Sequence, residues 1–387
     1  MKILSVIPYL GTSYGGTTKV VTEIAQEIGS LGWDLDLVTT NANDRDILDI
    51  PLQIWIKQKN YRVQYFSAWH RRDLIFSLSL IKWLWQNCNN YDLVHTNTIF
   101  SPLISFIHLI CHHKQIPYLV TPHGMLEPWA LSYKNWKKKH YYNFFEKPLL
   151  KKANAIQTLA SSEAKNIQQN LGLLHTVTIP NGIHIQEYKS LPNPHIFYQQ
   201  FPQTINKTLI LFLGRIDPKK GLDLLAPAFG KTHQNFPNTH LVIAGPDSIN
   251  FMPTVEKYFK DAGCRDTVTF TGMLTGNLKL AALAAADLYV APSYSEGFSM
   301  SVLEGMASGL PCIITKGCNF PEAAEAKVSH VVNTNSESIT DALINCLQNP
   351  QQAKQMGIEA RQFIFNNYTW DISAQKLVKL YQNILNN

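Results

Sequence analysis

Halfway along the chain lies the stretch Leu209-Ile210-Leu211-Phe212-Leu213-Gly214, an unbroken apolar run that ends at a glycine. A short apolar run bounded by a turn residue is typical of a buried strand in a parallel sheet. Similar short runs follow, with helix-period stretches between them: Leu241–Ala244, Val268–Thr271, Leu288–Ala291 and Cys312–Thr315. The alternation predicts βαβ units and a Rossmann-like α/β domain over residues 208–369.

The first half of the chain repeats this pattern. Its short β-branched runs are Ile3–Ile7, Leu35–Thr39, Leu93–His95 and Tyr118–Thr121. Over Thr17–Leu31 the apolar residues keep to one helical face, and Gly32 follows where a left-handed C-cap residue is expected. Residues 1–190 are therefore predicted to form a second Rossmann-like domain, so that two α/β domains face a central cleft.

Two segments lie outside these repeats. Leu191–Lys207 contains three prolines and no sustained periodicity, which predicts a linker between the domains. The periodic run within residues 370–387 has no strand to cross to, and we expect a terminal helix that packs back on the first domain.

Composition limits the classes of protein to consider. With 387 residues, 45% of them hydrophobic and 16% charged, the chain is long enough for two globular domains. The six cysteines form no C-x-x-C pair, so we expect neither a zinc site nor a disulfide framework, and a reducing cytoplasm fits best. The N-terminus reads as a strand rather than a signal peptide, and no apolar run reaches the length of a membrane span.

The strongest chemical signal is the segment Ser295–Pro311, with the sequence SEGFSMSVLEGMASGLP. Glu296 and Glu304 flank a small-residue turn that follows a strand and opens a helix. Backbone N–H groups at such a helix start favour an anion or polar hydroxyls, and a carboxylate accepts hydrogen bonds from a vicinal diol. For an isolated pair of glutamates, a simpler explanation would be that Glu296 caps the helix and Glu304 lies on its solvent-exposed face. Their place at the carboxyl end of a parallel strand favours a ligand site.

A second signal is the segment Gly214–Gly221, with the sequence GRIDPKKG, again at the end of a strand and before a helix. The guanidinium of Arg215 and the ammonium of Lys220 suit a diphosphate and can stabilise charge on a leaving group. By itself this segment would also fit a solvated helix start.

Two weaker signals lie in the first half. Gly11, Gly15 and Gly16 precede the first helix like a phosphate-approach loop, but they do not match G-x-G-x-x-G, which disfavours a dinucleotide-dependent dehydrogenase. His123 ends the strand that begins near Tyr118, a position that favours a functional role. The D-x-D patterns at Asp34 and Asp44 lie apart from the cationic segment, so we expect no required metal and no cofactor.

At these residues the chain resembles glycosyltransferase family 4. Glu296 and Glu304 match the family's E-x7-E motif, the segment from Gly214 to Gly221 matches its phosphate-binding segment, and Pro180–Ile183 resembles its interdomain connection. The segment His123–Trp129 looks like the subset that builds bacterial exopolysaccharide and envelope polysaccharide. The resemblance implies a GT-B fold, a nucleotide-sugar donor, retention at the anomeric carbon and no bound metal.

Carried over to this sequence, the resemblance implies roles for particular residues. Glu304 would bind ribose hydroxyls, Arg215 and Lys220 the diphosphate, and Glu296 the hexose hydroxyls. Gly16 would approach the phosphates from the first domain, and His123 would lie by the reacting sugar. The remaining donor contacts implied are Gly297, Phe298, Ser299 and Val302, with the base near Gly272, Met273 and Leu274. UDP-glucose is the first expected donor and GDP-mannose the second, with a glycan or lipid-linked acceptor.

Two other functions stay open from the sequence. A sugar-nucleotide epimerase shares the two-domain fold, although the E-x7-E motif with its cationic partner favours transfer. The segment Lys134–Lys152 carries seven lysines against one acid, Glu146, with aromatic residues between them. That composition fits nucleic-acid binding, but one short patch on a nearly neutral chain fits an anionic membrane surface better, or a solvated helix. The expected location is cytoplasmic, with peripheral contact at the inner face of the membrane.

Overall fold

A computed structural model describes residues 1–11, 14–44, 46–71, 74–128, 131 and 140–386. Contacts between its residues divide the chain into two units. The first unit comprises Met1–Asn181 and Trp370–Asn387, and the second comprises Gly182–Thr369.

The first unit is built on a parallel sheet. The strands described in it are β1 (Lys2–Val6), β2 (Asp34–Thr40), β3 (Ala42–Asn43), β4 (Asp46–Ile47), β5 (Trp55–Lys57), β6 (Arg62–Phe66), β7 (Trp69–Arg71), β8 (Leu74–Phe76), β9 (Leu93–Asn97), β10 (Tyr118–Thr121), β11 (Ala155–Thr158) and β12 (Thr176–Thr178). The main sheet has the order β12-β11-β10-β9-β1-β2-β6-β5, with β5 antiparallel at one edge. Two antiparallel pairs, β3 with β4 and β7 with β8, lie outside it.

Helices cover this sheet. Those described in the first part of the chain are α1 (Gly16–Ser30), α2 (Leu78–Asn87), α3 (Pro102–His113), α4 (Lys147–Lys152) and α5 (Ser161–Asn166). In α1 the residues Val20, Val21, Ala25 and Ile28 are buried, at the spacing that the sequence indicates. Gly32 follows with φ +83°, a left-handed conformation that costs glycine little.

The C-terminal helix belongs to the first unit although it follows the second in sequence. It spans Trp370–Asn386 and packs against α1. Its Leu377, Tyr381 and Ile384 share a hydrophobic cluster with Val21 and Ile28 of α1. Full burial of such a side chain contributes roughly 1.5–3 kcal/mol, so this contact is a substantial part of the core.

The second unit contains a six-stranded parallel sheet. Its strands are β13 (Thr208–Leu213), β14 (Thr239–Ala244), β15 (Val268–Gly272), β16 (Leu288–Ala291), β17 (Cys312–Thr315) and β18 (His330–Val332). They are arranged β15-β14-β13-β16-β17-β18, which is the 3-2-1-4-5-6 order of a Rossmann fold. The direction of winding reverses between β13 and β16, and α/β sheets bind ligands beyond the carboxyl ends of the strands at such a point.

The remaining helices are numbered on from α5. They are α6 (Ile185–Lys189), α7 (His195–Gln200), α8 (Leu222–Asn235), α9 (Met252–Asp261), α10 (Gly276–Ala285), α11 (Met300–Ala307), α12 (Pro321–Glu325), α13 (Ser336–Gln348), α14 (Pro350–Asn367) and the C-terminal α15 (Trp370–Asn386). No described helix is both long and apolar enough to span a bilayer.

The segment expected to link the domains lies inside the second unit. That unit begins at Gly182, and Leu191–Lys207 includes α7, which packs against α10. Tyr188 and Phe197 are almost completely buried. The prolines here separate short helices rather than marking an exposed linker, because Phe197, which lies between Pro194 and Pro202, is packed inside this unit.

Candidate functional site

Two loops meet at the switch point of the second sheet. The first follows β13 and contains Arg215 and Lys220, and the second follows β16 and contains Glu296. The N–H of Tyr294 donates to the carbonyl of Lys219 at 2.9 Å and joins the loops. Gly221 has φ +70°, and a Cβ there would clash with the carbonyl oxygen of Pro292. Only glycine allows the two loops to approach this closely.

The cationic loop is held by its own capping residue. The carboxylate of Asp217 accepts from the N–H of Lys219 at 2.9 Å and caps the 3₁₀ turn Pro218–Lys220. Arg215 is exposed, and no hydrogen bond joins its guanidinium to another described residue. Burial, followed by the charges of Lys220 and Arg215, lowers the pKa of Lys219, although Glu296 opposes this. Three cationic groups are thus close together at the end of β13.

Glu296 lies within this positive field. Lys220 Nζ lies 2.5 Å from Glu296 Oε1, and the Ser293 hydroxyl donates to the same oxygen at 2.7 Å. Burial acts to raise the pKa of the Glu296 carboxyl, but the charges of Lys220 and Lys219 with these hydrogen bonds outweigh it and lower the pKa. The carboxylate is therefore ionised and remains an acceptor for donors such as sugar hydroxyls.

The loop after β17 holds the backbone of Glu296. The N–H of Glu296 donates to the carbonyl of Gly317 at 2.7 Å, and Asn319 Nδ2 donates to the carbonyl of Glu296 at 2.6 Å. A Cβ on Gly317 would clash with the carbonyl of Ser293. The sequence-based prediction missed both residues. Their position after the strand Cys312–Thr315 was a usable signal, because neighbouring parallel strands end at the same edge.

The second glutamate of the motif is also ion-paired. Glu304 lies in α11, and Lys279 Nζ of α10 is 2.7 Å from its Oε1. The Tyr188 hydroxyl also hydrogen-bonds Glu304, and burial followed by the charges of Glu304 and Glu187 raises the pKa of Tyr188. Gly305 lets α11 pack on β16, because a Cβ there would meet the ring of Tyr289. Lys279 and Tyr188 were not predicted from the sequence.

The other predicted donor contacts have different surroundings. Phe298 is buried, with its ring centroid 5.1 Å from that of Phe320 and 5.8 Å from that of Tyr368. Val302 is in the core. Ser299 is the N-cap residue of α11 without a side-chain capping bond. Gly297 lies in the preceding turn, so this segment presents backbone N–H groups at a helix start rather than a row of free side chains.

The segment expected to lie near the base ends β15. Gly272 has φ +69°, and its carbonyl accepts from the N–H of Gly245 at 2.8 Å. Met273 is 66% exposed, whereas Leu274 is buried. A Cβ on Gly245 would clash with the carbonyl of Gly214, so the loops after β13 and β14 are also in close contact.

Gly16 and His123 belong to the first unit. Gly16 begins α1, and a Cβ there would meet no heavy atom within 4 Å. His123 is half-buried with φ +53°, its Nε2 lies 3.0 Å from Asn97 Oδ1, and burial lowers its pKa to about 4. Since Asn97 Nδ2 donates to Ser5 and Val6, Asn97 Oδ1 accepts. His123 is therefore neutral at pH 7, with Nε2 as donor and Nδ1 as acceptor.

Two further expectations concern a metal ion and a membrane surface. The described residues hold no group of three or more His, Cys, Asp or Glu side chains arranged for a metal ion. The segment Lys134–Lys152, expected to contact an anionic membrane, lies partly outside the described residues, since positions 134–139, with four of its seven lysines, are not among them.

Comparisons with known proteins cover both halves of the chain. Residues 197–363 match the family model for glycosyl transferases group 1, and residues 14–187 match the model for glycosyltransferase family 4. A phosphatidyl-myo-inositol mannosyltransferase of Propionibacterium freudenreichii is 23% identical over 98% of this chain and 94% of that protein.

Two further likenesses are to proteins whose names or complexes include a nucleotide sugar. A GDP-mannose-dependent alpha-(1-6)-phosphatidylinositol monomannoside mannosyltransferase of Mycolicibacterium smegmatis is 25% identical over 52% of this chain, and the match spans 55% of that protein, about half its length. Among solved structures, Anabaena HepE in complex with UDP-glucose superposes with a TM-score of 0.77, at 18% identity, over 99% of this chain and 100% of that one.

Proposed function

Because this chain belongs to glycosyltransferase family 4 and has the GT-B fold, we propose that it moves a hexose from a nucleotide diphosphate sugar to a glycan or lipid-linked acceptor. The observation that carries this proposal is the pair of lysine–glutamate contacts at one switch point, Lys220 with Glu296 and Lys279 with Glu304. Together they put two carboxylates beside cationic groups at the edge of the sheet where α/β proteins bind nucleotides.

The proposed roles follow the chemistry of the donor. Arg215 and Lys220 bind the diphosphate, since a guanidinium and an ammonium match phosphate oxygens. Glu304, in the first turns of α11, accepts from the ribose hydroxyls. Glu296 accepts from the hexose hydroxyls, and the N–H groups of Gly297–Ser299 bind polar oxygens at the helix start.

The proposed reaction retains the configuration of the anomeric carbon. The bond from that carbon to the phosphate oxygen breaks while the acceptor hydroxyl attacks from the same face, and the acceptor proton passes to the departing phosphate oxygen. Arg215 and Lys220 stabilise the negative charge that develops on the diphosphate, so no metal is needed. In this proposal neutral His123 lies by the reacting sugar, where its Nδ1 accepts a hydrogen bond from a hydroxyl.

GDP-mannose is supported as the donor by the name of the Mycolicibacterium relative. UDP-glucose, the first expectation from the sequence, is the second candidate, supported by the HepE complex. For the acceptor, the two relatives support the class of lipid-linked acceptors, because both are named for phosphatidylinositol lipids. A polysaccharide acceptor stays a proposal from the sequence.

The test is a thermal-shift screen with GDP, GDP-mannose, UDP and UDP-glucose, with ADP-glucose as a further comparison. A ligand at about 100 times its Kd stabilises the native state by about 2.7 kcal/mol, so the true donor and its nucleotide should both raise Tm. Incubation of the preferred donor with lipid and glycan acceptors, followed by NMR, distinguishes transfer from epimerisation. Absence of any shift with all five, or formation of only the epimeric donor, would overturn the proposal.

A further inference from the structure

Helices α2 and α3 of the first unit carry apolar residues on two faces. Their inner faces bury Leu80 and Leu84 of α2 and Leu103, Ile107 and Cys111 of α3 in the hydrophobic core. A surface helix normally buries one apolar stripe and exposes polar residues opposite it. The outer faces of these two helices depart from that pattern.

On the outer faces, large apolar side chains stay exposed. Leu78 is 74% exposed, Trp85 47%, Phe106 46% and Leu109 47%. The spacing from Leu78 to Trp85 in α2 and from Phe106 to Leu109 in α3 puts each pair on one side of its helix. These side chains line a groove of 1060 Å³ between the helices, called here the α2–α3 groove. Contiguous apolar surface of this kind marks a site of interaction.

The rim of the α2–α3 groove is cationic. Lys82 of α2 is exposed beside it, and Lys114 Nζ lies 5.0 Å from the centroid of the Trp85 ring. Lys152 Nζ of α4 lies 2.9 Å from Nε2 of His112, which also lines the groove. The sequences of α2 and α3 contain no Asp or Glu. The surface therefore combines exposed aromatic and aliphatic groups with positive charge that no acid of either helix offsets.

We propose that the α2–α3 groove docks on an anionic phospholipid bilayer. Trp85 and Phe106 enter the interfacial layer, where aromatic rings are favoured, and Lys82, Lys114 and Lys152 contact lipid phosphates. The rim favours a bilayer over a protein partner, because protein interfaces are depleted of lysine whereas an anionic lipid surface attracts it. This inference concerns the first unit and is independent of the donor chemistry proposed above.

The experiment is co-sedimentation of the full chain at low salt with phosphatidylcholine vesicles, with and without phosphatidylglycerol. We expect binding that requires phosphatidylglycerol and falls as salt rises. Lys82→Gln should weaken it about fivefold, the effect of one lysine near an anionic surface. Trp85→Ser and Phe106→Ser should each weaken it about tenfold through lost apolar burial.

Matched controls lie on other surfaces. Lys376→Gln removes an exposed lysine from α15, and Ile358→Ser removes an exposed apolar residue from α14. Both should bind vesicles like the wild type, and circular dichroism should show all variants folded. Lys82 is exposed, so Lys82→Gln keeps the test decisive if an aromatic variant misfolds.

Two results would overturn the proposal. One is equal sedimentation of Lys82→Gln, Trp85→Ser and wild type with anionic vesicles. The other is a wild-type dimer in sedimentation velocity that Trp85→Ser abolishes without any change in vesicle binding, since that would make the groove an interface between copies of this chain.

Discussion

The ammonium of Lys279 lies 2.7 Å from a carboxylate oxygen of Glu304, which joins α10 to α11 beside the switch point of the second sheet. Tyr188 hydrogen-bonds the same carboxylate from α6. Both residues of a motif defined by spacing alone are therefore oriented by lysines far away in sequence, Glu296 by Lys220 and Glu304 by Lys279. This arrangement makes the two glutamates separately testable.

Glu304→Gln should weaken nucleotide binding without unfolding the protein. The amide loses the charge paired with Lys279 and one of its two acceptor oxygens, and a charge-assisted hydrogen bond contributes about 1.5–3 kcal/mol. Affinity for GDP or UDP, measured by calorimetry, should fall about tenfold or more. Glu325→Gln, at an exposed position of α12, is the control. Unchanged affinity in Glu304→Gln would exclude the ribose role.

Lys220→Ala should lower kcat/KM for sugar transfer by about 10²–10³, the loss typical of a contact made with charge in the transition state. The rate falls because the negative charge on the departing diphosphate is no longer neutralised by this lysine and because the ion pair with Glu296 is lost. Lys257→Ala on α9 is the control, because that lysine is exposed and belongs to neither loop.

The same role predicts that transfer persists in excess EDTA and that the product keeps the anomeric configuration of the donor. Steady-state rates with and without EDTA and the NMR coupling of the product check this. If EDTA abolished activity and Mn²⁺ restored it, a metal ion rather than Arg215 and Lys220 would stabilise the charge on the diphosphate. An inverted product would exclude the retaining mechanism.

The stability of the first unit should fall as pH drops. Burial lowers the pKa of His95 and of His108 to about 3 from 6.5. Between these values the unfolded chain binds more protons than the native state, so stability is lost as pH falls through this window. Each site contributes about 2 kcal/mol to the loss from about pH 7 to about pH 5.

His108→Gln isolates one of these contributions. Gln retains a polar partner for Thr96, which lies 2.8 Å from His108 Nε2, but takes up no proton. The difference in unfolding free energy between the two pH values, measured with urea, should shrink by about 2 kcal/mol relative to wild type. An identical pH dependence in the variant would mean that His108 is not neutral in the native protein.

A buried hydrogen-bond network ties the C-terminal helix to the first sheet. Gln157 Nε2 donates to the carbonyl of Ile179, so Gln157 Oε1 accepts from the Thr121 hydroxyl. Thr121 then accepts from His95 Nε2 at 2.7 Å, which leaves His95 Nδ1 to accept from the Tyr381 hydroxyl at 2.7 Å. The tautomer of His95 follows from this chain of donors.

Tyr381→Phe should therefore destabilise the protein by about 1–3 kcal/mol, because His95 Nδ1 is left buried without a donor. Chemical unfolding measures this, with Tyr258→Phe in the second unit as the control for loss of a phenol hydroxyl. A double variant with His95→Phe should recover part of the loss, since it removes the unsatisfied acceptor. Equal stability of Tyr381→Phe and wild type would show that the network does not hold α15.

The sequence by itself determined the architecture and the glycosyltransferase family. Runs such as Leu209–Leu213 are long enough and apolar enough to be buried strands, and their alternation with helical periods leaves βαβ units as the arrangement that buries both faces of the sheet. Glu296 and Glu304 were visible because the motif that contains them is local and follows a buried strand.

Only the tertiary structure decided which side chains orient Glu296 and Glu304. It also decided which aromatic residues are buried in the segment that the sequence predicts to be a linker. Lys279, Asn319 and Tyr188 approach the site from separate elements, and such contacts depend on strand order and helix packing rather than on any local pattern. The proline-rich segment Leu191–Lys207 has the composition of a linker, yet Phe197 within it is buried. The reason is general: local sequence sets which residues prefer burial, whereas the partners they meet are set by how distant elements pack.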